Sequence, residues 1–315
     1  MQEIVRQLPT GAAHRAADPG SSPEPRFGER QGLEERAVAS VAEPIPDPTA
    51  RPVSAIPFLD GITIDYGPRT LLAGYLAAAN ELIRSRGLTL TFEPLATLVA
   101  INRAKRATWI PLLPLFDPEC GAVDDEGFCI IARDRSGRVM ATQAGRFFNW
   151  AGTNFKHEAE RLSLFYADPG AMRRPGEACH VTVDGADAIA GLVLFSGGVW
   201  IDPQVRGTGL TEVLPRISRA LAIGRWSCDR TMTFFARGVA NGGVPQRAGY
   251  RSVAYHVKFE NNHLAGVEVG LGVIPIGEAI EDLRWSLERL VDTQVDAVFE
   301  GRTREQPGPG LRVAG

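Results

Sequence analysis

The order of apolar and polar positions divides the chain into a patterned middle and two unpatterned ends. Leu71, Leu72, Tyr75, Leu76, Ala79, Leu82 and Ile83 recur at steps of three and four residues, which predicts an amphipathic helix ending at Gly87. A short β-rich run from Leu88 to Phe92 follows, and Pro94 can open a second helix carrying Leu98 and Ile101 toward Trp109. The runs 128–132 and 139–148, joined by Asp134-Arg135-Ser136-Gly137, read as an antiparallel hairpin. Phe155, Ala159, Leu162 and Tyr166 share one helical face, with Thr153 or Asn154 as its cap.

The pattern then changes. Ile189 to Phe195, a Ser196-Gly197-Gly198 break, Val199-Trp200-Ile201, a glycine loop, a helix from Thr208 to Trp226 and a strand from Thr231 to Ala236 form a βαβ unit with a parallel pair. Leu210, Val213, Leu214, Ile217, Ala220 and Leu221 give that helix one apolar face, and Pro215 is expected to bend it near its second turn. Tyr250 to Phe259 and Leu264 to Ile274 predict two further strands turning at 260–263. Ile280, Leu283, Leu287 and Leu290 mark a last helix. No repeat is present.

Outside this region the chain reads differently. Residues 1–57 and 299–315 are rich in Pro, Ala and Gly and are expected to be disordered tails, because they offer too little apolar surface to offset ordering entropy. The single domain expected between them, 58–298, begins with a helical extension over 58–110 and carries an inserted helix and loop over 149–187.

Composition narrows the functions. A formal net charge of -3 argues against a general nucleic-acid binder. Cys120, Cys129, Cys179 and Cys228 lack CxxC spacing and are expected to be reduced and mostly buried. The five histidines, His14, His157, His180, His256 and His263, show no ligand spacing, so no metal is expected. No apolar run reaches the length of a bilayer span and the start does not resemble a signal peptide, so no membrane partner and a cytoplasmic location are expected.

The chemistry concentrates in Val199-Trp200-Ile201-Asp202-Pro203-Gln204-Val205-Arg206-Gly207-Thr208-Gly209-Leu210. Two glycines spaced by one residue, after a strand and before a helix, let backbone N–H groups converge on an anion such as phosphate. A Walker A loop would need Gly-Lys-Ser/Thr here, and the lysine is missing. A dinucleotide GxGxxG would need glycine in place of Glu212, although Arg237 after the next strand could serve an NADP-type oxidoreductase.

Gln204-Val205-Arg206-Gly207-Thr208-Gly209 resembles the Gln/Arg-x-x-Gly-x-Gly/Ala signature of the GNAT superfamily of acyl-coenzyme A dependent N-acyltransferases, and Gly249-Tyr250 resembles the Gly-Phe/Tyr that begins a later strand there. The resemblance implies an α+β fold with a mixed, mostly antiparallel sheet flanked by helices and splayed at the motif strand, with acetyl- or another acyl-coenzyme A in the splay. It implies that the backbone of Val205, Arg206, Gly207, Thr208, Gly209 and Leu210 holds the pyrophosphate, that Val199, Trp200 and Ile201 pair with the pantetheine arm, and that a small-molecule or protein amine is the acceptor.

The catalytic residues are not given by this resemblance. Relatives often use a glutamate near the motif strand and a tyrosine on the helix before the Gly-Phe/Tyr. Here 188–201 holds no carboxylate, Pro245 takes the tyrosine's place, and Asn241 is out of register with the asparagine of that helix. Ser196, His180 and Tyr250 are the polar groups left near the expected thioester. Trp200, Phe147, Phe148, Trp150 and Phe165 could shape an apolar acceptor pocket, and Glu158, Glu160 and Asp168 could attract a cationic amine. A cofactor-binding module without catalysis is the other reading.

Overall fold

The structure is a computed structural model that describes residues 47, 49–262 and 266–304, the last twelve of these as backbone only. Most of each expected tail lies outside the described residues.

In chain order the elements are β1 (Ile56–Pro57), α1 (Arg69–Ser85), β2 (Thr89–Phe92), α2 (Leu95–Ala104), β3 (Gly127–Arg133), β4 (Val139–Trp150), α3 (Phe155–Glu160), α4 (Pro169–Met172), β5 (Ala178–Val181) and β6 (Gly191–Ile201). They continue with α5 (Leu210–Trp226), β7 (Arg230–Ala236), α6 (Arg237–Asn241), α7 (Val244–Arg247), β8 (Ala254–Glu260), β9 (Glu268–Pro275) and α8 (Ile276–Arg304). The strands form one nine-stranded sheet in the order β1-β2-β3-β4-β6-β7-β9-β8-β5. Every pairing is antiparallel except β6 with β7.

Each face of the sheet carries its own core. On one, Leu72, Tyr75, Leu76, Ala79 and Ile83 of α1 meet Val213, Leu214, Ile217 and Leu221 of α5 and Leu283 of α8. The Tyr75 hydroxyl, 3.4 Å from the Val213 carbonyl, ties α1 to α5. On the other, Leu98 and Ile101 of α2 pack with Phe116, Phe155, Phe165, Phe195, Trp109 and Trp200. The spacing of three and four residues that marked α1 and α5 is therefore the spacing of one buried stripe per helix.

Several features depart from the sequence reading. Ser196-Gly197-Gly198 does not break the strand, because β6 runs through it with a bulge whose register shift falls between Thr142 and Ala144 of β4. The third helix stops at Glu160: Leu162 is left-handed (φ 65°), and the Leu164 N–H turns back onto the Glu158 carbonyl, so Leu162 and Tyr166 are buried but lie off the helix. The 149–187 segment adds an edge strand, β5, that pairs with β8. Residues before 58 also join the sheet through β1, and the Thr49 carbonyl accepts from Arg133 Nη1 at 2.7 Å. That guanidinium also donates two buried hydrogen bonds to the Glu93 carboxylate, so this end of the chain is anchored by a fully paired cation.

The final helix extends to Arg304, beyond the boundary read at 298. Helix α5 continues through Pro215, and nothing in the structure explains a proline there. No helix among the described residues is long and apolar enough to cross a membrane.

Candidate functional site

β6 and β7 pair in parallel over only Val193↔Arg230, Leu194↔Thr231 and Phe195↔Met232. β6 continues for six residues to Ile201 and β7 for four to Ala236 without a further pair between them, so the sheet opens into a cleft whose two sides are strand edges.

The bulge begins where the pairing ends. Gly198 sits at φ 59°, and a Cβ on it would lie 3.0 Å from the Ala144 side chain and 3.1 Å from Leu98. A Cβ on Gly197 would lie 2.8 Å from the Phe116 ring. Thr142 of β4 fills the gap in the ladder: its hydroxyl donates to the Gly198 carbonyl at 2.6 Å and accepts from the Trp200 N–H at 3.1 Å. The extra residue also reverses the side-chain alternation, so Phe195 and Trp200 share the same core although they lie an odd five positions apart.

Backbone direction in β6 follows from these contacts. Gly198 and Trp200 face β4, and Asp202 N–H reaches the Met140 carbonyl at 2.8 Å, so the intervening Val199 and Ile201 direct their amides into the cleft. Val199, 40% exposed, stands at the cleft edge. The Ile201 carbonyl is engaged by Arg206 Nε at 3.3 Å. Of the three residues read as partners of a pantetheine arm, Trp200 has its N–H committed to Thr142, and its ring stacks on Trp109 on the other face of the sheet.

The loop after β6 is held from within. Asp202 accepts from the Gln204 N–H, the Val205 N–H bonds the Asp202 carbonyl, and Thr208 Oγ1 donates to the Val205 carbonyl at 2.7 Å. Gly207 and Gly209 both take left-handed backbone, at φ 76° and 84°, and Gly209 is the N-cap of α5 with no side-chain cap. The N–H groups of Gly207, Thr208, Gly209, Leu210 and Thr211 have no acceptor among the described residues. Five adjacent donors lie at the uncapped N-terminus of a seventeen-residue helix, the positive end of its dipole. Space above it is open: a Cβ on Gly207 would meet nothing within 4 Å, and one on Gly209 would meet only Arg86 Nη2 at 3.9 Å.

Arg86 was not legible as part of this site. It caps the C-terminus of α1, is exposed, and lies more than a hundred residues before the loop in sequence. Arg138 is second, bonding Gln204 Oε1 at 2.8 Å.

The residues considered for the chemical step are scattered. The Ser196 hydroxyl is buried between Gln143 Nε2 and Ser218 Oγ, each at 3.0 Å. His180 lies on the edge strand β5, 3.4 Å from Glu260. Tyr250 is buried edge-on to Phe235, and burial raises its pKa. Glu158 accepts from Thr153 and Ser163, Glu160 binds Lys156 and the Val181 N–H, and Asp168 caps α4. These carboxylates hold local structure.

The aromatic residues do not converge either. Phe147 stacks on Trp226 on the α5 face, whereas Phe148 and Trp150 stack on each other across the sheet, and Phe165 packs on Phe259. Arg237 is taken up by Glu268 at 2.7 Å and by the Tyr255 ring. Cys129, Cys179 and Cys228 are buried free thiols, Cys120 is half-buried, and burial pushes Cys179 and Cys228 up to about 12.

No family model matches the sequence, and no curated protein matches it. Among solved structures the chain is similar to a spermidine N-acetyltransferase chimera of Vibrio cholerae and human sequence at 12% identity and TM-score 0.37, covering 62% of this chain and 98% of that one. It is similar to the ribosomal-protein-S5-alanine acetyltransferase from Vibrio fischeri at 11% identity and TM-score 0.36, covering 60% and 93%. A third, a putative acyl-CoA N-acyltransferase from Klebsiella pneumoniae, is matched at 16% identity and TM-score 0.35, covering 60% and 97%. Scores at this level describe a loose likeness. The chain's own strand order, its one parallel pair and the cleft that opens beyond that pair make the fold GNAT-like.

Proposed function

We propose that the cleft between β6 and β7 binds acyl-coenzyme A and that the chain transfers the acyl group to an amine. The observation that carries this reading is the continuity of two surfaces. Five unpaired N–H groups from Gly207 to Thr211 suit a pyrophosphate, and the strand edge at Val199 and Ile201, unpaired with β7, leads away from them into the sheet, as an amide-bearing arm requires. Val205, Arg206, Gly207, Thr208, Gly209 and Leu210 are the pyrophosphate cradle in this reading, with the backbone supplying the main grip. Arg86 adds a charge on the open side.

A second reading has an observation of its own. No carboxylate lies on β6, Pro245 stands where relatives carry a tyrosine, and Phe116, Leu98 and Trp109 fill the face of the sheet opposite α5 at the bulge. A protein that binds acyl-coenzyme A without turning it over fits these facts.

Calorimetric titration with coenzyme A and NADPH, followed by a single-turnover reaction with labelled acetyl-coenzyme A and a mixed amine library, separates the readings. Binding of coenzyme A with transfer of label supports the acyltransferase, and binding without transfer supports the binding module. Failure to bind coenzyme A overturns both. Preferential binding of NADPH would instead support an oxidoreductase.

A further inference from the structure

A cavity of about 730 Å³ lies between α5, α7 and α8; its wall begins at Glu212 in the first turn of α5 and includes none of the loop's glycines. Its wall includes Arg216, Tyr250, Asp282 and Trp285, and Arg247 and Arg251 stand at its rim. The floor is built from charge. Asp282 takes two bonds from Arg216, at 2.9 and 2.8 Å, and lies 3.6 Å from Arg219. Arg219, behind this wall, is fully buried, with its guanidinium 5.4 Å from the centre of the Tyr250 ring. Two buried guanidinium groups thus share one carboxylate.

Arg216 is satisfied, since its Nη1 also donates to the Glu212 and Arg247 carbonyls. Arg219 is not. One nitrogen reaches the Ala248 carbonyl, while Nε and Nη1 are buried without a hydrogen-bond partner. Burial lowers its pKa, the direction expected of a cation short of compensation. Gly249 lets Asp282 come this close, because a Cβ there would lie 2.6 Å from the carboxylate.

Glu212, Glu278, Glu281 and Arg289 also line the cavity. Glu281 is exposed, and Glu278 pairs with the largely exposed Arg251 at 3.2 Å. Water and salt screen these charges from one another, whereas the excess charge of the floor is screened far less. An incoming anion therefore meets a net positive interior.

We propose that this cavity is a second anion site, separate from the glycine loop, that takes a phosphate monoester on a nucleoside-sized body. Arg216 and Arg219 supply the field and Arg247 and Arg251 the direct donors, while the half-exposed Trp285, whose ring already lies against the Arg216 and Arg289 guanidinium groups, borders the space for the ligand's body. The volume suits a ligand of that size. Such a monoester could belong to the distal end of coenzyme A bound at the loop or to a separate phosphorylated metabolite, and both present the same group to the floor.

The test titrates the full chain with inorganic phosphate, coenzyme A and dephospho-coenzyme A. The wild type is compared with Arg219→Met, the double variant Arg247→Gln/Arg251→Gln, and the loop variant Gly207→Asp. Phosphate is expected to bind the wild type and Gly207→Asp alike, and to weaken about tenfold in the double variant, which disturbs no buried group. Arg219→Met, if it folds, should weaken binding similarly. Coenzyme A binding more tightly than dephospho-coenzyme A, with the difference lost in the double variant, assigns the monoester to the cofactor. Equal binding of the two, with phosphate still held, assigns it to a separate ligand. Absence of phosphate binding, or phosphate binding lost in Gly207→Asp and unchanged in the double variant, overturns the proposal. Failure of coenzyme A to bind, with phosphate binding still sensitive to the double variant, removes the acyl-coenzyme A reading and leaves this site standing.

Discussion

The Thr142 hydroxyl donates to the Gly198 carbonyl at 2.6 Å while accepting from the N–H two residues further on, so one side chain occupies the gap that the bulge leaves in the β4–β6 ladder. Replacement by valine keeps the shape and removes both bonds. Two buried backbone groups then lose their partner, which should cost about 2 kcal/mol in urea unfolding. If the bulge sets the width of the cleft, coenzyme A affinity in Thr142→Val falls by more than this stability loss explains. Unchanged affinity in the folded variant would separate the bulge from ligand binding.

Gly207 allows charge to be tested apart from shape. Its φ of 76° is a conformation that Asn and Asp adopt more readily than other side chains, and a Cβ there has open space. Gly207→Asn and Gly207→Asp should therefore be similarly strained and melt within a few degrees of each other. Coenzyme A should bind the Asp variant at least about tenfold more weakly than the Asn variant, because a carboxylate beside a pyrophosphate adds repulsion. Gly209→Asp is less informative, since Gly209 also has positive φ and terminates α5, so strain and charge would act together.

Arg86→Ala should reduce coenzyme A affinity several-fold and leave the melting midpoint unchanged, because the side chain is exposed and its guanidinium lies beside Gly209. The difference from wild type should shrink as salt is raised from about 0.05 to 0.5 M. A difference that persists at high salt would point to a structural effect.

Glu158 supplies a pH test. Burial raises its pKa, but hydrogen bonds from Ser163, Thr153 and His157 outweigh that effect and set it below the ordinary 4.5. A carboxyl depressed on folding adds stability above its unfolded pKa and loses it as pH falls through the folded value. Wild type should thus melt higher than Glu158→Gln at pH 7, with the gap closing below about pH 4. A gap constant from pH 7 to 3 would show that the two hydroxyl contacts act independently of charge.

The legible parts of the fold were those governed by local repetition. The stripes of α1 and α5, the β3–β4 hairpin at Gly137 and the single parallel crossover all declare themselves through spacing within one element and the turn beside it. The bulge did not, because Ser196-Gly197-Gly198 has the composition of a break. Only Thr142, 56 residues earlier, converts it into a continuous strand. The early end of α3 was hidden for a related reason: Leu162 is buried as a helical pattern requires, while its backbone has already turned out of the helix. At the site, the loop was readable from adjacent glycines, but Arg86 carried no signal, since its place depends on how α1 packs against α5.

The short parallel pairing of β6 with β7 has a mechanical consequence. Three residue pairs form this seam, whereas β4 with β6 contributes nine and β7 with β9 seven. The sheet is thus two stiff plates meeting along a narrow joint. Helix α5, anchored to β4 and β6 on one plate, and α8, resting on β7 and β9 of the other, touch each other across it. Load applied between the plates would fall on that seam and on the helix contacts that span it, those of α8 with α1 and with α5, the latter where Asp282 reaches from α8 to Arg216 of α5.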